Sequence, residues 1–188
     1  MKSSFLDSIN KQFQYYKMLG DKTFEQIPEN KIQWSAQENT NSIAAIVKHL
    51  HGNMLSRWTD FLDTDGEKEW RKRDEEFEAE FKDLASMQKL WDEGWAALFK
   101  AIDPLQDKDL ERIVFIRNQG HTVTEALNRQ LAHYAYHVGQ IVFLGTLICG
   151  EDWVSLSIPK GDSKVYNAEK FSKEKSRGHF TDEFGIKA

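Results

Sequence analysis

Disulfide-forming residues are almost absent from this chain. Its 188 residues include one cysteine, Cys149, so an intramolecular disulfide is excluded and an oxidising compartment is not implied. Cys149 lies near the end of an apolar segment with no base beside it in the sequence. We therefore interpret it as a buried structural thiol rather than a nucleophile.

A surplus of positive charge is missing as well. The chain has 25 basic and 30 acidic residues, which gives a net charge of -5 at pH 7. Proteins that bind phosphate backbones or anionic membrane surfaces do so through clustered Lys and Arg. We therefore expect no nucleic-acid partner and no membrane partner.

Long hydrophobic runs are also lacking. The longest apolar stretch, around residues 138–149, is too short and too interrupted to cross a bilayer. The first residues contain no apolar segment of signal-peptide length. Both absences predict a cytoplasmic protein. There is also no GxSxG, Walker A or GxGxxG sequence, and no EXXH motif of the carboxylate-rich di-iron bundles.

Hydrophobic periodicity indicates helices. The three prolines, Pro28, Pro104 and Pro159, fall between long segments in which apolar residues recur every three or four positions. Six Trp and twelve Phe supply material for a packed interior. We predict an all-α chain with four main helices, at about residues 5–27, 43–61, 86–102 and 122–148.

The remaining segments are less regular. Residues 63–83 are dense in charges of both signs, which is typical of a solvated connection or an exposed helical face. Residues 111–117 are ambiguous. The tail is rich in Lys and Ser but contains Trp153 and Phe171, so we expect it to pack partly over the helices. The prediction is a single domain, 1–188, with a core at 1–150 and a C-terminal extension at 151–188.

Two histidines on the last main helix suggest a metal site. His133 and His137 are separated by four residues, so on a helix their imidazoles lie one above the other, about 6 Å apart at the Cβ atoms. Both could then reach one cation. The alternative is a pair of hydrogen-bonded histidines at a partly buried helix edge. His49 and His51 on the second helix are both candidates for a third ligand, whereas His121 is a weaker one.

The order of these motifs resembles the DinB-like (YfiT-like) superfamily, whose members include metal-dependent thiol transferases. The superfamily pattern has a His-Leu or His-Ile pair in the second helix and His-x-x-x-His-x-Gly-Gln on a later one. Here the corresponding residues are His49-Leu50 and the run from His133 to Gln140. The match covers most of residues 1–150 and is nearest to an uncharacterised subgroup. In place of a second histidine and an arginine found in many members, this chain has Tyr136 and Val138.

The resemblance implies both a fold and a metal centre. It implies an up-down-up-down four-helix bundle, and it selects His49 over His51 as the third metal ligand beside His133 and His137. Three neutral imidazoles leave positions open on a divalent metal, for which zinc and nickel are the candidates. The substitutions at Tyr136 and Val138 leave the three ligands in place. Any substrate contact that other members make through a histidine or an arginine at those two positions is lost.

The function that follows is metal-dependent transfer of a low-molecular-weight thiol, such as bacillithiol or mycothiol, to an electrophilic small molecule. Arg57, Arg117 and His121 are the candidates for contacting an anionic thiol cofactor. The alternatives are a non-catalytic metal-binding bundle, a metal-dependent hydrolase and a thiol-dependent isomerase. A homodimer is the default expectation for the assembly.

Overall fold

A computed structural model describes residues 4–78 and 80–186 of the chain, and these residues are mainly helical. The elements that it contains are α1 (Ser4–Phe24), α2 (Ile43–Trp58), α3 (Leu84–Ile102), β1 (Ile113–Ile116), β2 (Gln119–Thr122), α4 (Val123–Cys149) and α5 (Ser163–Phe171). Short 3-10 helices lie at Glu29–Lys31, Asp74–Glu76, Asp107–Asp109, Gly150–Asp152 and Phe180–Phe184. The four main helices confirm the helical prediction.

Side-chain caps set the starts of α2 and α4. The Ser42 hydroxyl accepts a hydrogen bond from the backbone N–H of Ala45 at the start of α2. At the start of α4, Thr122 and Glu125 form a reciprocal capping box, as their spacing predicts. Each cap satisfies backbone N–H groups that have no partner within the helix, which fixes where the helix begins.

The four long helices contact one another in a closed ring. α1 packs on α4, α4 on α2, α2 on α3, and α3 on α1. Phe13 of α1 occupies the centre, with its ring centroid 6.4 Å from that of Trp58, 6.4 Å from that of Trp95 and 6.0 Å from that of Tyr134. One buried ring therefore joins side chains from all four helices. Among the described residues, no helix is both long and apolar enough to span a membrane.

A β-hairpin between α3 and α4 was not predicted. Its strands pair antiparallel, with Ile113 opposite Thr122 and Ile116 opposite Gln119. The two turn residues, Arg117 and Asn118, have φ values of 55° and 60°, which is typical of a type I′ turn. In strands of four residues the alternation of apolar and polar side chains is too short to predict a strand, and the turn lacks the usual Asn-Gly or Asp-Gly sequence.

The charge-dense segment 63–83 is only partly the solvated connection that was expected. Glu76 is buried, and the side chain of Arg71 is 3 % exposed. Further along, Phe180 and Phe184 of the tail lie against Tyr15 of α1, and Lys11 forms an ion pair with Asp182. The tail therefore packs along the first helix.

Candidate metal centre

Three histidines from two helices meet at one point. His49 lies on α2, and His133 and His137 lie one turn apart on α4. Their ligand nitrogens are all within 4.8 Å of one another, and the Nε2 atoms of His49 and His133 are 3.4 Å apart. His51 is directed elsewhere, because its Nε2 lies 3.4 Å from a carboxylate oxygen of Glu93 on α3.

The packing of α4 explains the position of its two histidines. Tyr134, Val138 and Ile141 are fully buried and hold one face of the helix against the core. His133 and His137 lie beside that face and are half-buried, whereas His49 on α2 is buried. The helical period therefore directs both imidazoles of α4 toward α2.

Neighbouring side chains orient two of the three rings. His49 Nδ1 donates to the Glu76 carboxylate at 3.0 Å, and His137 Nδ1 donates to the Gln140 side-chain oxygen at 2.9 Å. With a proton on each Nδ1, the Nε2 atoms of these two rings carry the free lone pairs. Such support of the ligand is usual around metal-bound histidine. The Phe77 ring also stacks on His49, with ring centroids 5.2 Å apart.

Burial favours neutral imidazoles at His133 and His137. Burial, reinforced by the neighbouring histidines, lowers the pKa of His133 to about 3. Burial likewise lowers the pKa of His137 to about 4. Burial also opposes ionisation of Glu76, but hydrogen bonds from His49 and Arg71 outweigh it and lower the pKa of that carboxyl. At pH 7 the imidazoles of His133 and His137 are therefore neutral, and the Glu76 carboxylate is ionised.

These residues fit a divalent cation. Neutral imidazole nitrogens are preferred ligands of zinc and related metals, and the three donors already lie close enough to share one ion. A metal-bound histidine usually donates its other ring N–H to a carboxylate, a carbonyl oxygen or water, and His49 and His137 have such acceptors in Glu76 and Gln140. The cluster of His49, His133 and His137 could therefore hold a metal ion.

Comparison with known protein families supports the resemblance drawn from the motifs. A family model described as a protein of unknown function (DUF1572) matches residues 1–162. The chain belongs to this DinB-like family. All three histidines and Glu76 fall within the DUF1572 match, whereas α5 and the rest of the tail lie beyond it. No curated protein matches the chain significantly.

A small cavity adjoins the histidines of this DUF1572 protein. It has a volume of about 230 Å³ and is lined in part by His49, His133, Arg57 and Arg117. The two arginines that the sequence nominated for substrate contact therefore lie beside the candidate metal centre. His121 does not line the cavity. Its Nε2 lies 3.2 Å from Nη1 of Arg129, and Arg129 does line the cavity.

Sequence reasoning missed two residues of this site, Arg71 and Glu76. Arg71 donates to both carboxylate oxygens of Glu76, at 2.8 and 3.0 Å, and so connects the cavity wall to His49. Nothing in the charge-dense segment distinguished these two residues from their solvated neighbours.

Cys149 lies apart from the candidate metal centre. Its Sγ contacts the carbonyl oxygen of Gln26, and burial raises the pKa of its thiol. A raised pKa disfavours a role as nucleophile.

Proposed function

We propose that this protein is a divalent-metal-dependent transferase that adds a low-molecular-weight thiol, of the bacillithiol or mycothiol type, to an electrophilic small molecule. His49, His133 and His137 hold the metal, with zinc or nickel as the candidates. When bound, such a metal lowers the pKa of a thiol that coordinates it. The sulfur then forms a bond to the electrophilic carbon, the leaving group departs with its bonding electrons, and the thiol proton passes to solvent.

The observation that carries the proposal is the cluster of three histidines beside a cavity. Structural zinc sites usually have four protein ligands, whereas catalytic sites have three and leave a position for the substrate. Among the described residues, the cluster offers three ligands and the adjoining cavity has room for a substrate group. Glu76 and Gln140 keep two of the rings in the orientation that ligation requires.

The protein residues would contribute binding and orientation. Arg57 would hold the anionic part of the thiol, with Arg117 beside it, because both line the cavity that His49 and His133 also line. We also propose that α1 to α4 form an up-down-up-down four-helix bundle, which their ring of contacts supports. The cytoplasmic location, the single domain and the homodimer stay predictions.

Metal analysis and turnover assays on the same samples test this proposal. Wild type, His133→Ala and the control His51→Ala are purified, loaded with zinc or nickel, and assayed with bacillithiol or mycothiol and a chromogenic alkyl halide. We expect about one metal per chain and metal-dependent loss of thiol in wild type and His51→Ala, and neither in His133→Ala. Metal binding without turnover would instead identify a metal-binding protein that is not this transferase. An unchanged metal content in His133→Ala would refute the three-histidine site.

A further inference from the structure

The cavity beside the histidines has an unusual concentration of arginine. The chain contains seven arginines, and five of them line this one cavity. They are Arg57, Arg71, Arg73, Arg117 and Arg129. The chain as a whole carries a net charge of -5, so the composition does not require a cationic cavity. Five cations around about 230 Å³ therefore call for a local explanation.

Protein carboxylates balance only two of these cations. Arg71 is paired with Glu76, and the Nε of Arg117 lies 3.1 Å from a carboxylate oxygen of Glu67. Within residues 4–78 and 80–186, no ion pair is formed by Arg57, Arg73 or Arg129. The cavity thus retains three positive charges that no acidic side chain neutralises at contact distance.

Arg57 is the decisive residue. It is 4 % exposed, and neither its Nε nor its Nη1 has a hydrogen-bond partner among the described residues. A buried guanidinium with unpaired donors is costly, because each such donor has lost its hydration without compensation. Gln130, which is 2 % exposed and lines the same cavity, has a side-chain oxygen that is likewise unpartnered. A ligand with both acceptor and donor groups would satisfy these atoms.

The choice of arginine narrows the ligand. A guanidinium offers paired N–H donors that match the two oxygens of a carboxylate or phosphate, whereas lysine offers only a point charge. Typical pockets for whole small molecules have volumes of about 300–1,000 Å³. The volume of about 230 Å³ is smaller, so the cavity suits one charged group of a larger molecule.

We propose that this cavity binds a compact dianion, either a pair of carboxylates or a phosphate, with Arg57 and Arg129 as its principal donors. We assign the dianion to the thiol or to the electrophile that accepts it, and this assignment rests on the proposed function. The anion site itself needs no metal. A dianion held here would place the rest of its molecule next to His49 and His133, which line the same cavity.

Calorimetric titration of metal-free protein tests the anion site independently of catalysis. The probes are inorganic phosphate, succinate and acetate, titrated into wild type, Arg129→Gln, Arg57→Lys and the control Arg177→Gln. Arg129 and Arg177 are both exposed, but Arg177 does not line the cavity. We expect phosphate or succinate to bind at least tenfold more tightly than acetate. We expect Arg129→Gln and Arg57→Lys to weaken that binding tenfold or more, and Arg177→Gln to leave it unchanged.

The outcomes separate the two proposals. Preference for phosphate identifies a phosphorylated substrate, and preference for succinate identifies a dicarboxylate; either supports the site. Failure of both dianions to bind, or binding that survives Arg129→Gln in a protein with native circular dichroism, overturns it. The titration uses metal-free protein, so it does not depend on the metal centre. Anion binding by a wild-type protein that shows neither metal binding nor turnover would refute the transferase and leave the anion site intact.

Discussion

His49 and Glu76 form a buried hydrogen bond between Nδ1 and a carboxylate oxygen at 3.0 Å, although 27 residues separate them in the chain. The same carboxylate receives two hydrogen bonds from Arg71, which lines the anion-binding cavity. Glu76 therefore has two tasks. It fixes the ring of a candidate metal ligand, and it neutralises one of the cavity arginines.

Substitution of Glu76 by Gln should weaken metal binding. Loss of the charge behind His49 lowers the basicity of that imidazole, and changes of this kind typically cost about 10–100-fold in metal affinity. Competition with a chromogenic zinc chelator would measure the effect. The matched control is Glu93→Gln, since Glu93 lies near His51, which is outside the cluster. Equal zinc affinities for the two variants would contradict a supporting role for Glu76.

Tyr134→Phe should destabilise the metal-free protein. The buried Tyr134 hydroxyl donates to Asn53 Oδ1 at 3.0 Å and accepts from Trp58 Nε1 at 2.9 Å. Without it both partners are left unpaired in the core, so we expect the free energy of unfolding to fall by about 1–3 kcal/mol. Urea denaturation would measure this. Tyr136→Phe is the control, because that side chain is exposed, and a loss as large there would refute the explanation.

Two helical glycines should respond to alanine in opposite directions. A Cβ at Gly20 of α1 would lie 2.3 Å from the ring of Trp91, which is 2 % exposed and has no space to move away. Overpacking of this kind typically costs about 1–3 kcal/mol. At Gly139 of α4 a Cβ would meet nothing within 4 Å, so alanine there should stabilise the protein by about 0.5–1 kcal/mol. Thermal unfolding of Gly20→Ala and Gly139→Ala would test both signs, and a shift of the same sign in each would be inconsistent with this packing.

Asp65 should make the hairpin turn sensitive to acid. Its carboxylate accepts hydrogen bonds from the backbone N–H groups of Glu67, Arg117 and Asn118. Partial burial opposes ionisation of Asp65, but these bonds outweigh it and lower the pKa below the ordinary value of 3.8. A depressed pKa means that the stabilisation is present above the unfolded-state pKa and is lost as the pH falls through the folded-state pKa.

The variant that isolates this effect is Asp65→Asn, which imitates the protonated side chain. We expect it to lower the free energy of unfolding by about 1–2 kcal/mol at pH 7, within the range for hydrogen bonds to charged groups. The difference from wild type should shrink as the pH is lowered below 3.8. Urea titrations at several pH values would show this, with Asp63→Asn as an exposed control. A difference that is independent of pH would rule out the carboxylate as its source.

Local sequence information was sufficient for the helices and for the histidine pair on α4. The start at Thr122 follows from its capping box, whereas at α2 the sequence allowed Asn41 or Ser42 as the cap and the structure has Ser42. The separation of His133 from His137 is fixed by the helical period. Local sequence information could not decide between His49 and His51 as the third ligand, because both flank the apolar stripe of α2. The family resemblance selected His49, and in the structure the Nε2 of His51 lies 3.4 Å from a carboxylate oxygen of Glu93, away from the cluster.

The rest of the site depends on long-range packing that no local pattern records. Glu76 reaches His49 from a connection whose composition indicates exposure, and Arg117 reaches the cavity from the turn of an unpredicted hairpin. The hairpin is tied to the connection through the backbone N–H of Gly66, which donates to the Phe115 carbonyl. Contacts between segments so far apart in the chain emerge only when the whole fold is assembled.

The absence of lysine from the cavity wall has a practical consequence for chemical labelling. The chain has 18 lysines, but every cation that lines the cavity is an arginine. Reagents that acylate amines would thus alter much of the protein surface and leave the charge of the cavity untouched. Dicarbonyl reagents, which modify guanidinium groups, would attack its accessible arginines directly. Protection of those arginines by a bound anion would report occupancy of the cavity without any substitution in the protein.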